Sequence, residues 1–234
     1  VIELLNKIQS WLCTDVIVLS PHALQLYKKS FGYNRLCDLH EARILLPIDK
    51  QNNEEVERKY FSFFGSVVAT KKIDWFLDLV EFSIDDKSQY QFLIVSSSKL
   101  PNERINILKS KGANLKVVNP EILTDQEIGK WLNQSVAAFS MHQSVTQSGV
   151  FVECMRHHTP VICLDEPGFS QFVDDCGVLV SDAYNASELY KSMSKVFIHK
   201  QEYSKAASKV YKQNFSAENF ALLYGELLMK IRNQ

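Results

Sequence analysis

The 234-residue sequence lacks the features that define several large classes of protein. Its five cysteines are scattered and form no Cys-x-x-Cys pair, which argues against a disulfide framework and a cysteine zinc site. No apolar run approaches the roughly 20 residues that cross a bilayer. The formal net charge of -1 provides no overall field that would attract nucleic acid. We therefore expect a cytoplasmic protein with no nucleic-acid partner.

Familiar catalytic signatures are also absent. The sequence has only eight glycines, and it contains no P-loop, no G-x-G-x-x-G, no G-x-S-x-G and no H-E-x-x-H. A functional site must therefore be sought in local arrangements of residues.

Apolar runs of strand length alternate with amphipathic stretches of helix length along most of the chain. This alternation predicts βα units and a doubly wound, mainly parallel α/β sheet. Several of the runs are apolar throughout, as in strands covered on both faces. The predicted strands are residues 15–20, 43–48, 60–65, 90–96, 114–118, 135–140, 160–165 and 177–181.

Sequence signals also predict where helices begin and end. Ser20 before Pro21 predicts a helix start, and Gly112 predicts a helix end. Thr124 followed by Glu127 has the spacing of a capping box. The tail from residue 187 onward is predicted to be helical, with breaks near residues 199 and 214.

The polar stretch at residues 49–59 is predicted to be a linker between two parts of the chain. Residues 1–48 contain too few elements to close a core alone, so we expect them to be the end of a preceding α/β domain. Residues 60–213 form the predicted main domain. Residues 214–234 form a predicted C-terminal helix.

The stretch "TQSGVFVECM", residues 146–155, places Ser148 and Gly149 where a strand and loop turn into a helix. Free N–H groups and the positive end of the helix dipole would make this position an anion cradle. Gly149 would let a phosphate approach the backbone, and Ser148 could cap the helix or donate its hydroxyl. A plain N-cap without a ligand explains these two residues equally well.

Glu153 is an isolated carboxylate among apolar residues, four positions after Gly149 on the same helix face. The separation is about 6 Å along the axis. Vicinal hydroxyls would supply two donors to its two oxygens, and a nucleotide offers a ribose diol at about that distance from its diphosphate. A structural salt bridge to Arg156 is the alternative.

A second anion contact is predicted in "FFGSVVATKK", residues 63–72. Here a strand ending at Gly65 runs through a turn of small residues, beginning with Ser66, to Lys71 and Lys72. Lysines at a helix start oppose the dipole, so an anion would explain them. Ordinary solvated lysines are the alternative.

A metal site is suggested by Cys154, His157 and His158, since Cys154 and His158 share a helix face at i, i+4 spacing. No fourth ligand is evident, so we expect no metal and interpret the pair as an ordinary helix end.

The stretch "ECMRHHTPVICLDEPGFSQFVDDCGVLVSDAYNASELYKSM" resembles the nucleotide-sugar-binding half of GT-B glycosyltransferases, especially the retaining enzymes of family 4. The pattern of that family is a Glu followed by "AMACGTPVI" and, after a gap, "GLLV" and a helix. The resemblance continues in residues 63–72, 90–99 and 215–228. Residues 15–36 and 42–49 resemble the last βα unit of the preceding acceptor domain.

The resemblance implies roles for individual residues. The second Glu of the family's E-x7-E motif, which binds the donor ribose, corresponds to Glu153, whereas the first Glu, which contacts the sugar, corresponds to Val145. The family's diphosphate-binding Lys corresponds to Lys71, and its Arg is replaced by Ser66. The Gly that ends the motif is here His158.

The resemblance therefore implies retaining transfer of a sugar from a nucleotide sugar, such as a UDP- or GDP-sugar, in polysaccharide or glycoconjugate biosynthesis. It implies no further cofactor and no metal. Expected partners are a glycan or lipid-linked acceptor and a missing N-terminal domain, through which the protein could bind the inner face of a membrane. Two alternatives stay open. One is a degenerate, non-catalytic partner subunit; the other is a nucleotide-sugar epimerase, because "TQSGVFVE" is also similar to the Ser-Gly turn of UDP-GlcNAc 2-epimerases.

Overall fold

A computed structural model of the chain describes residues 15–18, 20–31, 38–41, 56–88, 90–143, 148–173 and 176–233. These residues divide into two compact units. The larger is drawn from residues 49–211, and the smaller from residues 1–48 together with 212–234.

The smaller unit contains a pair of short parallel strands, β1 (Asp15–Val18) and β2 (Asp38–Glu41), with helix α1 (Pro21–Phe31) between them in sequence. Ser20 caps α1 as predicted, because its Oγ accepts a hydrogen bond of 3.0 Å from the N–H of Ala23. The polar sequence of β2 has no strand pattern, so it was not predicted. The strand predicted at residues 43–48 lies outside the described residues.

The larger unit is built on a six-stranded parallel sheet, which confirms the predicted Rossmann-like α/β fold. The strands lie in the order β5-β4-β3-β6-β7-β8, which is the doubly wound order of dinucleotide-binding folds. Each strand begins and ends within one residue of the predicted bounds. Their bounds are β3 (Tyr60–Phe64), β4 (Gln91–Val95), β5 (Leu115–Val118), β6 (Ser135–Ser140), β7 (Val161–Leu164) and β8 (Gly177–Val180).

Helices connect these strands and continue to the end of the chain. A short 3-10 turn, Ala69–Lys71, precedes the first helix of the larger unit. The helices are α2 (Ile73–Asp85), α3 (Asn102–Ser110), α4 (Asp125–Asn133), α5 (Gly149–Arg156), α6 (Pro167–Val173), α7 (Ala186–Ile198), α8 (Lys200–Asn214) and α9 (Ala217–Arg232). Across the described ranges, no helix is both long enough and apolar enough to cross a membrane.

The predicted helix signals are confirmed. Thr124 and Glu127 form a complete capping box at the start of α4. Gly112 follows α3 with a φ of +92°, a left-handed conformation that glycine adopts without strain. The C-terminal breaks fall between α7 and α8 and between α8 and α9, at the predicted positions.

The core lies on both faces of the six-stranded sheet. Phe61 and Phe63 of β3, Phe92 of β4 and Phe139 of β6 are at most 2% exposed. Phe76 of α2 packs edge-on against Phe92 and Phe139, with centroids 5.9 and 5.3 Å apart. The strands can be apolar throughout because helices cover the sheet on both sides.

Candidate functional site

The sheet order places a crevice beside the carboxyl ends of β3 and β6. These strands are neighbours, but β3 leads toward β4 and β6 leads toward β7, so the connections leave in opposite directions. Ligands of doubly wound folds bind at such a switch point. The loops here are tied together, because Gln143 donates its N–H to Thr70 O at 3.1 Å and its side-chain amide to the carboxylate of Asp182.

The first side of the crevice is the turn after β3. Gly65 has a φ of +99°, which favours glycine, and its N–H donates to Val95 O at 3.0 Å. A Cβ at Gly65 would lie 2.9 Å from Lys71 Nζ and 3.4 Å from Val150 Cγ2. The Lys71 ammonium therefore lies over the glycine backbone, next to the first turn of α5.

Lys71 is half-buried, and burial lowers the pKa of its ammonium below the ordinary value of 10.5. Within the described part of the chain, no carboxylate forms a salt bridge with Lys71. The neighbouring Lys72 is the N-cap residue of α2, and its ammonium lies 5.2 Å from the ring centroid of Trp75. Of these two lysines, Lys71 is therefore the one that presents its charge to the crevice.

The second side of the crevice is the start of α5. Ser148 is buried, and its Oγ accepts a hydrogen bond of 3.3 Å from the N–H of Phe151, so the hydroxyl caps the helix. The backbone N–H groups of Gly149 and Val150 have no hydrogen-bond partner among the described residues. Apart from its chain neighbours and the backbone of its own helix, no described atom lies within 4 Å of the Cβ position of Gly149, so there is open space beside the helix start.

Glu153 lies one turn further along α5 and is only 9% exposed. Its Oε1 lies 3.3 Å from Nη1 of Arg156, so the salt bridge considered from sequence is present. Its Oε2 lies 3.5 Å from Nε2 of His157 and accepts no hydrogen bond from the described residues. The carboxylate therefore has one paired oxygen and one buried oxygen without a hydrogen bond.

His142, two residues after the end of β6, is a crevice residue that sequence reasoning missed. Burial lowers its pKa to about 4, and the nearby charge of Lys71 contributes to the shift. Its ring lies 6.2 Å from the ring of Phe169. A single histidine after a strand carries no sequence signal, so only the fold shows that it lies near Lys71.

Sequence analysis also singled out Ser66, Val145, His158 and Cys154. Ser66 is exposed in the turn after Gly65, and Val145 lies outside the described residues. His158 has a φ of +53°, so a left-handed residue stands where the family pattern has glycine. Cys154 is fully buried, and burial raises the pKa of its thiol. No three His, Cys, Asp or Glu side chains cluster as metal ligands in the ranges that the structure describes.

The fold and this crevice define a Rossmann-like α/β protein with a half-buried cation at its topological switch point, beside the start of a helix whose first two N–H groups have no partner among the described residues. The sequence model of the family described as glycosyl transferases group 1 matches residues 58–198, which is more than half of the chain. The chain belongs to that family.

Solved structures of GT-B glycosyltransferases share the fold at low sequence identity. TarM aligns with a TM-score of 0.77 and 18% identity over 96% of this chain and 45% of TarM. A structure of a point mutant of S. aureus TarM contains UDP. The pneumococcal O-GlcNAc transferase GtfA, in complex with UDP and GlcNAc, aligns with a TM-score of 0.70 and 14% identity over 94% of this chain and 46% of GtfA.

A glycosyltransferase from Rickettsia africae aligns with a TM-score of 0.72 and 15% identity, over 92% of this chain and 62% of that protein. The chain thus spans slightly less than half the length of TarM and GtfA. No curated protein sequence matches it.

Proposed function

We propose that the larger unit binds the nucleoside diphosphate part of a nucleotide-sugar donor and serves a glycosyltransferase. The observation that carries this proposal is the Lys71 ammonium, which is half-buried over Gly65, without a carboxylate among the described residues, beside the first turn of α5. A desolvated cation next to free backbone N–H groups is a site for an anion.

The two ends of the crevice match the two parts of a nucleotide. The diphosphate lies between Lys71 and the N–H groups of Gly149 and Val150, with Gly65 and Ser66 in the adjoining turn. The ribose lies near Glu153, about 6 Å further along α5. The UDP in the structures of TarM and GtfA supports this choice of ligand class.

The same groups have a role in transfer. When the bond between the sugar and the diphosphate breaks, negative charge develops on the leaving diphosphate. A fixed cation and fixed N–H donors stabilise that charge most where water is excluded. We propose transfer with retention, without a metal, to a glycan or lipid-linked acceptor held by another part of the protein.

A non-catalytic donor-binding subunit is the second candidate. Glu153 is already engaged by Arg156, and neither Ser66 nor Val145 has the charge that the family pattern places at its position. A subunit of this kind would bind nucleotide without transferring sugar. A nucleotide-sugar epimerase would instead convert its sugar with no acceptor present.

Isothermal titration calorimetry with UDP, GDP and pyrophosphate tests the proposed site. We expect Lys71→Ala to weaken UDP and pyrophosphate alike, by about 10- to 100-fold, because a charge-assisted contact to a phosphate is lost. The matched control is Lys72→Ala. It removes the same charge one residue away, from an ammonium that lies over Trp75, and should change affinity by less than about threefold.

Equal losses in the two lysine variants would show that only general electrostatic attraction is involved and would contradict the site. Binding of no nucleoside diphosphate by the wild-type chain would remove the proposed function altogether. If UDP binds and Lys71→Ala alone weakens it, incubation with UDP-sugars in the absence of an acceptor, followed by analysis for epimerised sugar, then tests the epimerase.

A further inference from the structure

His157, directly after α5, is anchored at four points. Its N–H donates to Glu153 O at 3.0 Å, and its own carbonyl accepts a hydrogen bond of 2.7 Å from Nη2 of Arg58. Its Nδ1 lies 3.1 Å from Oδ1 of Asn133, at the end of α4. Its ring lies against Gly129 of the same helix. Backbone and ring are therefore both held in one position.

Gly129 makes the position of the ring possible. A Cβ at Gly129 would lie 2.7 Å from Cε1 and 2.9 Å from Nε2 of His157, closer than nonbonded atoms approach. Any side chain at position 129 would push the imidazole away from α4. The absence of a side chain there thus determines where the imidazole nitrogens lie.

The anchored ring faces the Glu153 carboxylate. Nε2 of His157 lies 3.5 Å from Oε2, the buried carboxylate oxygen that accepts no hydrogen bond from the described residues. An amide oxygen can only accept a hydrogen bond, so the nitrogen that faces Oδ1 of Asn133, Nδ1, carries a proton. Nδ1–H therefore donates to Oδ1 of Asn133, and Nε2 faces Oε2 across 3.5 Å, where it is a donor to the carboxylate when the ring carries its second proton.

We propose that His157 is a positioning residue that fixes the Glu153 carboxylate for recognition of the donor ribose. Arg156 holds Oε1 and His157 restrains Oε2, so the carboxylate meets the two ribose hydroxyls in a single orientation. This inference rests on the proposed function. It adds that α4, through Gly129 and Asn133, sets the geometry of a residue on α5.

The test compares UDP with 2′,3′-dideoxyuridine diphosphate, which lacks both ribose hydroxyls, by calorimetry on the whole chain. We expect His157→Leu to weaken UDP about tenfold while leaving the dideoxy ligand within about twofold of wild type. His157→Gln should retain most of the preference for UDP, because its amide NH2 can occupy the place of Nε2–H. Gly129→Ala, which displaces the ring without removing it, should lose the preference as His157→Leu does.

The matched control is His199→Leu. His199 also lies near a glutamate, with Nδ1 3.2 Å from Oε2 of Glu202, but this pair is exposed. We expect this variant to leave both affinities unchanged. A control that loses the preference would contradict a specific role for His157.

A measurement without nucleotide tests the pairing itself. A double-mutant cycle of Glu153→Gln and His157→Leu, read by urea unfolding, should give a coupling clearly different from zero. Additive effects would overturn the pairing. An equal fall in affinity for both ligands, or a preference for UDP that survives in His157→Leu and Gly129→Ala, would overturn the positioning role. A wild-type chain that binds neither ligand would instead overturn the proposed function.

Discussion

At the scale of single residues, Lys71 and Lys72 are adjacent in the chain, but their ammonium groups lie in different surroundings. Lys71 ends the 3-10 turn and is half-buried over Gly65, where burial lowers its pKa. Lys72 has a φ of 51° and directs its ammonium to the ring of Trp75. The turn between β3 and α2, rather than the residue type, directs one ammonium to the Gly65 backbone and the other to the ring of Trp75.

The low pKa of His142, about 4, predicts a dependence of stability on pH. In the unfolded chain the imidazole has an ordinary pKa near 6.5, so the unfolded state binds more protons between the two values. The free energy of unfolding therefore falls as pH is lowered from 7 to 4.5. We expect a contribution of about 1–2 kcal/mol after allowance for the partial exposure of the ring.

Urea unfolding of wild type and His142→Gln at pH 7 and pH 4.5 checks this prediction. The loss of stability at the lower pH should be smaller in the variant, because it has no imidazole to protonate. His199→Gln, which removes an exposed histidine, should lose as much stability as wild type. Identical losses in wild type and His142→Gln would contradict the burial of the His142 ring beside Lys71.

At the scale of elements, two glycines differ in what a side chain at each position would contact. A Cβ at Gly177, at the start of β8, would lie 2.3 Å from the backbone oxygen of Val161 in β7. At Gly149, the first residue of α5, a Cβ would contact nothing within 4 Å among the described residues. The first glycine permits two strands to pair closely, whereas at the second a side chain would have room among the described residues.

We expect Gly177→Ala to lower the free energy of unfolding by about 2–3 kcal/mol, because β7 and β8 must separate. Gly149→Ala should change stability by less than about 1 kcal/mol and weaken UDP about tenfold, because the methyl group occupies the space predicted for the diphosphate. Thermal unfolding and calorimetry on both variants measure the two effects. Unchanged UDP affinity in Gly149→Ala would place the ligand elsewhere.

At the scale of the whole molecule, the chain spans slightly less than half the length of TarM and GtfA. Sugar transfer needs an acceptor group held against the donor, and the proposed site holds the donor alone. We therefore expect this chain by itself to bind UDP. We also expect it to cleave UDP-GlcNAc no faster than the Lys71→Ala variant does. A coupled assay of UDP release checks this, and release that depends on Lys71 and on an added glycan would contradict it.

Much of the fold could be predicted from sequence because its signals are local. The six strands of the larger unit are short apolar runs, and the ends of α3 and α4 follow from Gly112, Thr124 and Glu127. The polar strand β2 was missed because its pairing with β1 involves no apolar pattern. Backbone pairing of this kind depends on the partner strand and cannot be predicted from the sequence of either segment alone.

The site could be predicted in part, since Ser148, Gly149 and Glu153 are close in sequence and belong to one helix and its cap. The relation of Lys71 to Val150 could not, because it depends on the neighbouring positions of β3 and β6 in the sheet. His142 and Gly129 were missed for the same reason, since the role of each depends on a residue from another element.

The sequence by itself determined the α/β class, the helix ends and the family resemblance, because periodicity, caps and short motifs act over a few residues. Only the tertiary structure decided which charges are paired. It placed Arg156 and His157 on Glu153 and left Lys71 without a carboxylate in the described part of the chain. Burial and pairing depend on which surfaces meet when the sheet and its helices pack, and that packing joins residues far apart in the chain, as Arg58 and His157 show.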